Sequence, residues 1–153
     1  MKIKFKKLHP HAHIPTKAHP SDAGFDLYAA EVEINEHDQI ICHTGIAVEI
    51  PDGYVGLVFP RSSICNTSMT MLNCVGVIDS GYRGEITARF RRYEEVRLLR
   101  NKIATIENNK SLYHQGDRVA QLIILPYPEV EFEETEVLSD TDRGIGGYGS
   151  SGR

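Results

Sequence analysis

Glu85-Ile86-Thr87-Ala88-Arg89-Phe90 puts Ile86, Ala88 and Phe90 at every second position, with polar residues between them. Successive side chains of an extended chain point to opposite faces, so this alternation predicts a strand with one buried and one wet face. Similar short apolar runs recur on both sides of it, at residues 32–34, 40–42, 46–50, 55–59, 119–125 and 130–137. Pro51-Asp52-Gly53, Ser80-Gly81, Gln115-Gly116-Asp117 and Pro126-Tyr127-Pro128 separate these runs and carry turn chemistry. Many short strands at this spacing, with no long amphipathic helical window, predict an all-β sandwich, barrel or jelly roll. The one helical piece expected is a turn or two after Ser62-Ser63, where a serine hydroxyl can cap free backbone donors.

The chain has 153 residues, the size of one domain with a core of its own. Its formal charge of -4 leaves no basic footprint for a polynucleotide backbone, so no nucleic-acid polymer is expected as a partner. It has no long apolar run and no signal-like start, which points to a cytoplasmic protein away from membranes. Cys42, Cys65 and Cys74 are odd in number and lack zinc spacing, so they are expected to be reduced and mostly buried. His9, His11, His13 and His19 cluster among prolines; an extended His11-Ala12-His13 would put two imidazoles on one face, but a solvated loop explains the cluster as well.

Two stretches depart from the strand pattern. Residues 94–110 are charged and Asn-rich, which suggests an extended hairpin or loop. Residues 141–153 contain five glycines and almost nothing to anchor a core. The expected division is therefore a single β domain over 1–140 and a flexible arm over 141–153, ordered only when something binds it.

Five segments carry polar chemistry. In the arm, glycine N–H groups can approach an anion, Ser150 and Ser151 add hydroxyls, Arg143 adds a forked cation and Tyr148 one aromatic face. The arm has no Walker lysine, and a low-complexity tail explains it equally well. Pro60-Arg61-Ser62-Ser63 offers an arginine and two hydroxyls at a strand-to-helix junction, either a phosphate cradle or a simple cap. Residues 73–86 read as a β-hairpin, with Asp79 at a strand end where it can take a proton from water and Tyr82 able to lie against a sugar or base. A turn-capping aspartate and a packed tyrosine explain the same residues. Ala23-Gly24-Phe25-Asp26-Leu27 and Gly116-Asp117-Arg118-Val119-Ala120-Gln121 place polar groups beside strands, and a turn with a buried ion pair explains either equally well.

In this order, over residues 21–152, the five segments resemble the five motifs of the trimeric dUTPase family. The resemblance implies a β-clip or distorted jelly-roll-like barrel, and a homotrimer whose swapped, flexible C-terminal arm closes over active sites drawn from all three chains. It implies Mg2+-dependent hydrolysis of dUTP to dUMP and pyrophosphate by water attack on the α-phosphorus, keeping uracil out of DNA and supplying dUMP for dTMP synthesis. By motif match, Asp79 is the base, while Asn73 and the backbone of Gly76, Val77 and Ile78 bind uracil. Tyr82 packs under the deoxyribose, excluding a ribose hydroxyl. Arg61, Ser62, Ser63, Gln121, Arg143, Gly147, Gly149, Ser150 and Ser151 hold the phosphates, Tyr148 stacks on uracil, and Asp26 holds Mg2+ through bound water.

The sequence departs from the common pattern in three places: Tyr148 stands for the usual phenylalanine, Gly81 for a frequent aspartate, and residues 91–115 form a longer segment than usual. The rival enzyme of the same fold is a dCTP deaminase, or a bifunctional deaminase and dUTPase; the Ala-His expected of these before Ile-Asp is missing here. A second rival is a catalytically idle regulatory module that binds nucleotide. Asp79, Arg61 and Arg143, all present, argue against that loss of activity.

Overall fold

The computed structural model describes residues 1–93, 95–99, 102–106, 112–147 and 149–150. It contains twelve strands: β1 (Lys4–Lys7), β2 (Phe25–Tyr28), β3 (Glu31–Ile34), β4 (Gln39–His43), β5 (Ile46–Glu49), β6 (Tyr54–Pro60), β7 (Met69–Met71), β8 (Gly76–Ile78), β9 (Thr87–Arg92), β10 (Glu95–Leu99), β11 (Lys102–Ile106) and β12 (Arg118–Pro126). One antiparallel sheet runs β2-β12-β6-β8 and a second runs β3-β4-β9-β7. Two shorter pairings, β1-β5 and β10-β11, complete the described architecture. It is the all-β, antiparallel fold that the alternation predicted.

Both sheets feed one core. Leu27, Val58, Val119, Ala120 and Leu122 come from the first, and Ile40, Cys42, Met69, Met71, Ala88 and Phe90 from the second. Ile86, Ala88 and Phe90 share the buried face, as their period of two requires, although β9 itself begins only at Thr87. Phe90 is fully buried and its ring lies 5.0 Å from that of Tyr113. The expected hairpin within 94–110 is present as β10 against β11, with Leu99 opposite Lys102.

Four expectations need correction. Residues 73–86 do not form a β-hairpin, because their two ends pair in different sheets: β8 with β6, and β9 with β4 and β7. The backbone of Ile86, which a hairpin would turn toward β8, is taken by the other side. Its N–H donates to the Ile46 carbonyl at 2.9 Å, and its carbonyl accepts the buried Thr44 hydroxyl at 2.6 Å. Residues 130–137 are not a strand: they pair with none of the described strands, and Phe132 is 96% exposed. The helical piece is a 3-10 turn, Ser62–Asn66, whose capping position is Arg61 with no side-chain cap, so serine does not cap it. Finally, only Cys42 is buried, while Cys65 and Cys74 are exposed. Burial, aided by the charge of Asp117, pushes the Cys42 thiol up to about 12 and keeps it protonated.

Among the described residues, no helix is long and apolar enough to cross a membrane. No group of three His, Cys, Asp or Glu side chains there is placed to hold a metal, and the His9 and His11 rings sit 5.4 Å apart without forming one.

Phe90→Ala should lower unfolding stability by about 3–5 kcal/mol, since it leaves a cavity where the sheets meet. Denaturant unfolding of the variant checks this; a loss under about 1 kcal/mol would show that the ring is not central to the core.

Candidate active site

Two clusters and the tail carry the residues singled out from the sequence. The first cluster lies under β8. This strand ends its sheet, so alternate N–H and C=O groups of Gly76, Val77 and Ile78 face away from β6 without a ladder partner. A cleft of about 210 Å³ opens beside it, lined by Asn73, Gly76, Val77, Ile78, Asp79, Tyr82 and Glu85 among others. Space is tight at Gly76: a Cβ there would stand 3.3 Å from both the Asn73 amide nitrogen and the Val58 Cβ. Cys74 turns the chain into β8 with a φ of 54°, a left-handed value uncommon outside glycine.

Past β8 the chain turns tightly, and the Tyr82 N–H donates to the Asp79 carbonyl at 3.1 Å. The Tyr82 hydroxyl donates to the Glu85 carbonyl at 2.9 Å, which lays the ring over Gly84 where a side chain would collide with it. Arg83 reaches back to the carbonyls of Ser80 and Tyr82, at 2.5 and 2.8 Å. The open strand edge, Tyr82 and Asp79 thus line one concave surface.

The second cluster is built on a carboxylate. Asp26 is buried on β2, directly opposite Gln121 on β12. Its Oδ1 accepts from Arg61 Nε at 2.8 Å and from Gln121 Nε2 at 3.3 Å, and its Oδ2 accepts from Arg118 Nη1 at 3.2 Å. Arg61 also reaches the Ser63 hydroxyl at 3.4 Å, while Ser62 and Ser63 stand exposed. Two guanidiniums against one carboxylate leave one surplus positive charge, which suits a phosphate. Arg118 was not singled out from the sequence, because its link to Asp26 spans 92 positions and leaves no local trace.

Does this cluster suit Mg2+? Oδ2 has a single protein donor, so one lone pair is open to a metal-bound water. With no described chelating group around it, Asp26 fits a partner held through water and does not fit a directly chelated ion.

The tail stands apart. Arg143 Nε donates to the Gly146 carbonyl at 3.0 Å, and the Gly144 N–H donates to both the carbonyl and the hydroxyl of Thr141. The described hydrogen bonds of Arg143, Gly147 and Ser150 close within the tail itself. Gly149 takes a φ of 87°, while Tyr148 and Ser151 lie outside the described residues. None of Asp26, Arg61 or Gln121 lines the cleft under β8.

A cleft beside an open strand edge, a cationic cluster and a glycine-rich tail on one antiparallel β scaffold suit the parts of a nucleotide. The dUTPase family profile matches residues 10–152. The chain is 41% identical to the deoxyuridine 5'-triphosphate nucleotidohydrolase of Nocardia farcinica, over 98% of this chain and 85% of that one. It is 40% identical to its counterpart in Rhodococcus erythropolis, over 99% and 87%. Its fold is similar to that of the Staphylococcus bacteriophage 80alpha dUTPase solved with dUpNHpp, with a TM-score of 0.78, 30% identity and 99% of each chain covered. A mutant dUTPase from phage phi11 of S. aureus, described with a structural Mg(II) ion, aligns with a TM-score of 0.70 and 26% identity over 90% of this chain and 98% of that one. This chain belongs to the dUTPase family.

Asp26→Ala should lower stability by about 3 kcal/mol, the low end for breaking a buried ion pair because Arg118 is half exposed. Denaturant unfolding tests it; an unchanged midpoint would mean that the two arginines do not depend on this carboxylate.

Proposed function

We propose that this chain is a dUTP diphosphatase, hydrolysing dUTP to dUMP and pyrophosphate with Mg2+ as one subunit of a homotrimer. The observation that carries this reading is the cleft under β8, where an unpaired strand edge, Tyr82 and Asp79 meet on one surface in a member of the dUTPase family. The unpaired backbone groups of Gly76, Val77 and Ile78, with the Asn73 amide, suit the edge of a uracil ring. A base with the opposite donor pattern leaves buried polar groups unpaired, so cytosine is rejected. Nothing in the cleft favours deaminase chemistry.

Asp79 takes a proton from water as the water oxygen bonds to the α-phosphorus. The bond from that phosphorus to the bridging oxygen breaks, and the electron pair leaves with pyrophosphate. Arg61, Ser62, Ser63 and Gln121 bind and orient the phosphates, and Arg118 steadies Asp26. Mg2+, when bound, neutralises charge growing on the phosphate oxygens, and Asp26 holds one of its waters. Arg143, Gly147, Gly149, Ser150 and Ser151 complete the phosphate cage, and Tyr148 covers the base, when residues 141–153 close as an arm over the domain formed by 1–140.

Trimer formation is supported by what a single chain leaves undone. Phe132, Val137 and Leu138 stand 79–96% exposed in a segment without a strand partner, an apolar stretch that asks for another copy of the chain. The separation of the cleft, the Asp26 cluster and the tail also supports sites assembled from several subunits.

The enzyme should release pyrophosphate from dUTP and not from dCTP, in a reaction stopped by EDTA. Asp79→Asn should retain dUTP binding and lose about 10²- to 10⁴-fold in kcat. A near-normal kcat would remove Asp79 from the mechanism, and ammonia release from dCTP would overturn the diphosphatase reading. Light scattering should give a trimer; an active monomer would sink the shared-site arrangement.

A further inference from the structure

We propose that His43 is a positioning residue for the sugar end of the cleft: held between Glu33 and Glu85, its imidazolium fixes the Glu85 segment that orients Tyr82, so selection against ribose weakens when His43 loses its proton. The proposal rests on the functional reading above, in which Tyr82 lies against the deoxyribose.

The geometry is a chain of fixed contacts from β4 into the cleft. His43 Nδ1 lies 2.9 Å from Glu85 Oε2, and its Nε2 lies 3.5 Å from Glu33 Oε1. The other Glu85 oxygen accepts the Gly45 N–H at 2.6 Å, and the Glu85 carbonyl accepts the Tyr82 hydroxyl at 2.9 Å. Glu85 therefore joins the His43–Gly45 turn to the tyrosine. That turn is rigid: Gly45 has a φ of 65°, and a Cβ there would stand 2.6 Å from the Cβ of His9 and 3.0 Å from that of Ala12. Next to Glu85, the Ile86 backbone is tied to Thr44 and Ile46. Two cations adjoin this connection: Arg83, which holds the carbonyls of Ser80 and Tyr82, and His43, which alone of the two contacts Glu85.

Its surroundings set the direction of titration. Burial, the largest single influence, favours the neutral ring, but Glu85 and then Glu33 outweigh it and hold the His43 pKa above its ordinary value. Glu31 lies opposite on β3, itself 3.9 Å from the His9 ring. From β9 come the uncharged Thr87, directly opposite, and Arg89, two pairs further along. Because the folded pKa is raised, the stabilisation is fully present below the unfolded value of about 6.5 and is lost as pH rises through the folded one.

The test measures KM for dUTP and the inhibition constant of UTP from pH 6 to 9. In the wild-type trimer with Mg2+, the preference for dUTP over UTP should fall by about 2- to 5-fold as pH rises, as expected for a partly exposed charged pair. His43→Gln should show the high-pH preference throughout, with kcat close to that of the wild type. Glu33→Gln, a half-exposed site outside the cleft, should move the midpoint to lower pH and provides a second arm if His43→Gln does not fold. A wild-type-like pH profile in His43→Gln, or an unmoved midpoint in Glu33→Gln, overturns the proposal. So does a pH-independent preference in a wild-type enzyme that cleaves dUTP. Failure to cleave dUTP at any pH overturns the functional reading and this proposal with it.

Discussion

A single buried carboxylate ties together the cationic cluster of this molecule. Asp26 sits on β2 at the edge of its sheet, yet its partners arrive from the end of β6 and from two positions of β12. A buried charge is tolerated only when it is paired and its lone pairs are used, so the cluster fixes the relative placement of three strands as firmly as the ladder does. The arginines are constrained in turn. With Nε of Arg61 committed to Asp26, the end of its guanidinium fork can face outward, beside the exposed hydroxyls of Ser62 and Ser63. One interaction thus stabilises the sheet and aims a cation.

The other half of the site depends on an edge left open. An unpaired strand edge invites pairing with another chain, and proteins usually blunt such edges by keeping them short. β8 has three residues, enclosed on one side by β6 and bounded by the left-handed Cys74 and the turn after Asp79. That length is too short for stable pairing with a foreign strand. It is long enough to offer the few fixed donors and acceptors that a planar ring needs.

Strand positions were legible because burial on one face imposes a period of two whatever the partner. Thus 40–42, 46–50, 55–59 and 119–125 all fall on observed strands. Pairing partners were not legible. Residues 73–86 have hairpin chemistry, but Thr44 and Ile46 capture Ile86 across some forty positions and send the chain into the second sheet. Residues 130–137 have strand composition but pair with none of the described strands, and a propensity without a partner does not make a strand. The candidate site was legible where a motif is contiguous, as in Asn73 to Tyr82. It was silent on Arg118, Glu85 and His43, whose roles arise from contacts that the fold creates.

These long-range contacts also explain why the site is divided. Asp26, Arg61 and Arg118 do not line the cleft under β8 of the same subunit, and both arginines are tied to that carboxylate. Among the described residues of the tail, the hydrogen bonds of Arg143, Gly144, Gly146 and Ser150 close within the tail itself. A nucleotide has a base, a sugar and a triphosphate, and each of the three groups on this chain suits one part of it. Copies of the chain arranged so that the cleft of one faces the cationic cluster of another would satisfy all three at once. Symmetry would then make every interface equivalent, so the exposed apolar segment around Phe132 and the divided site would both be answered by the proposed assembly.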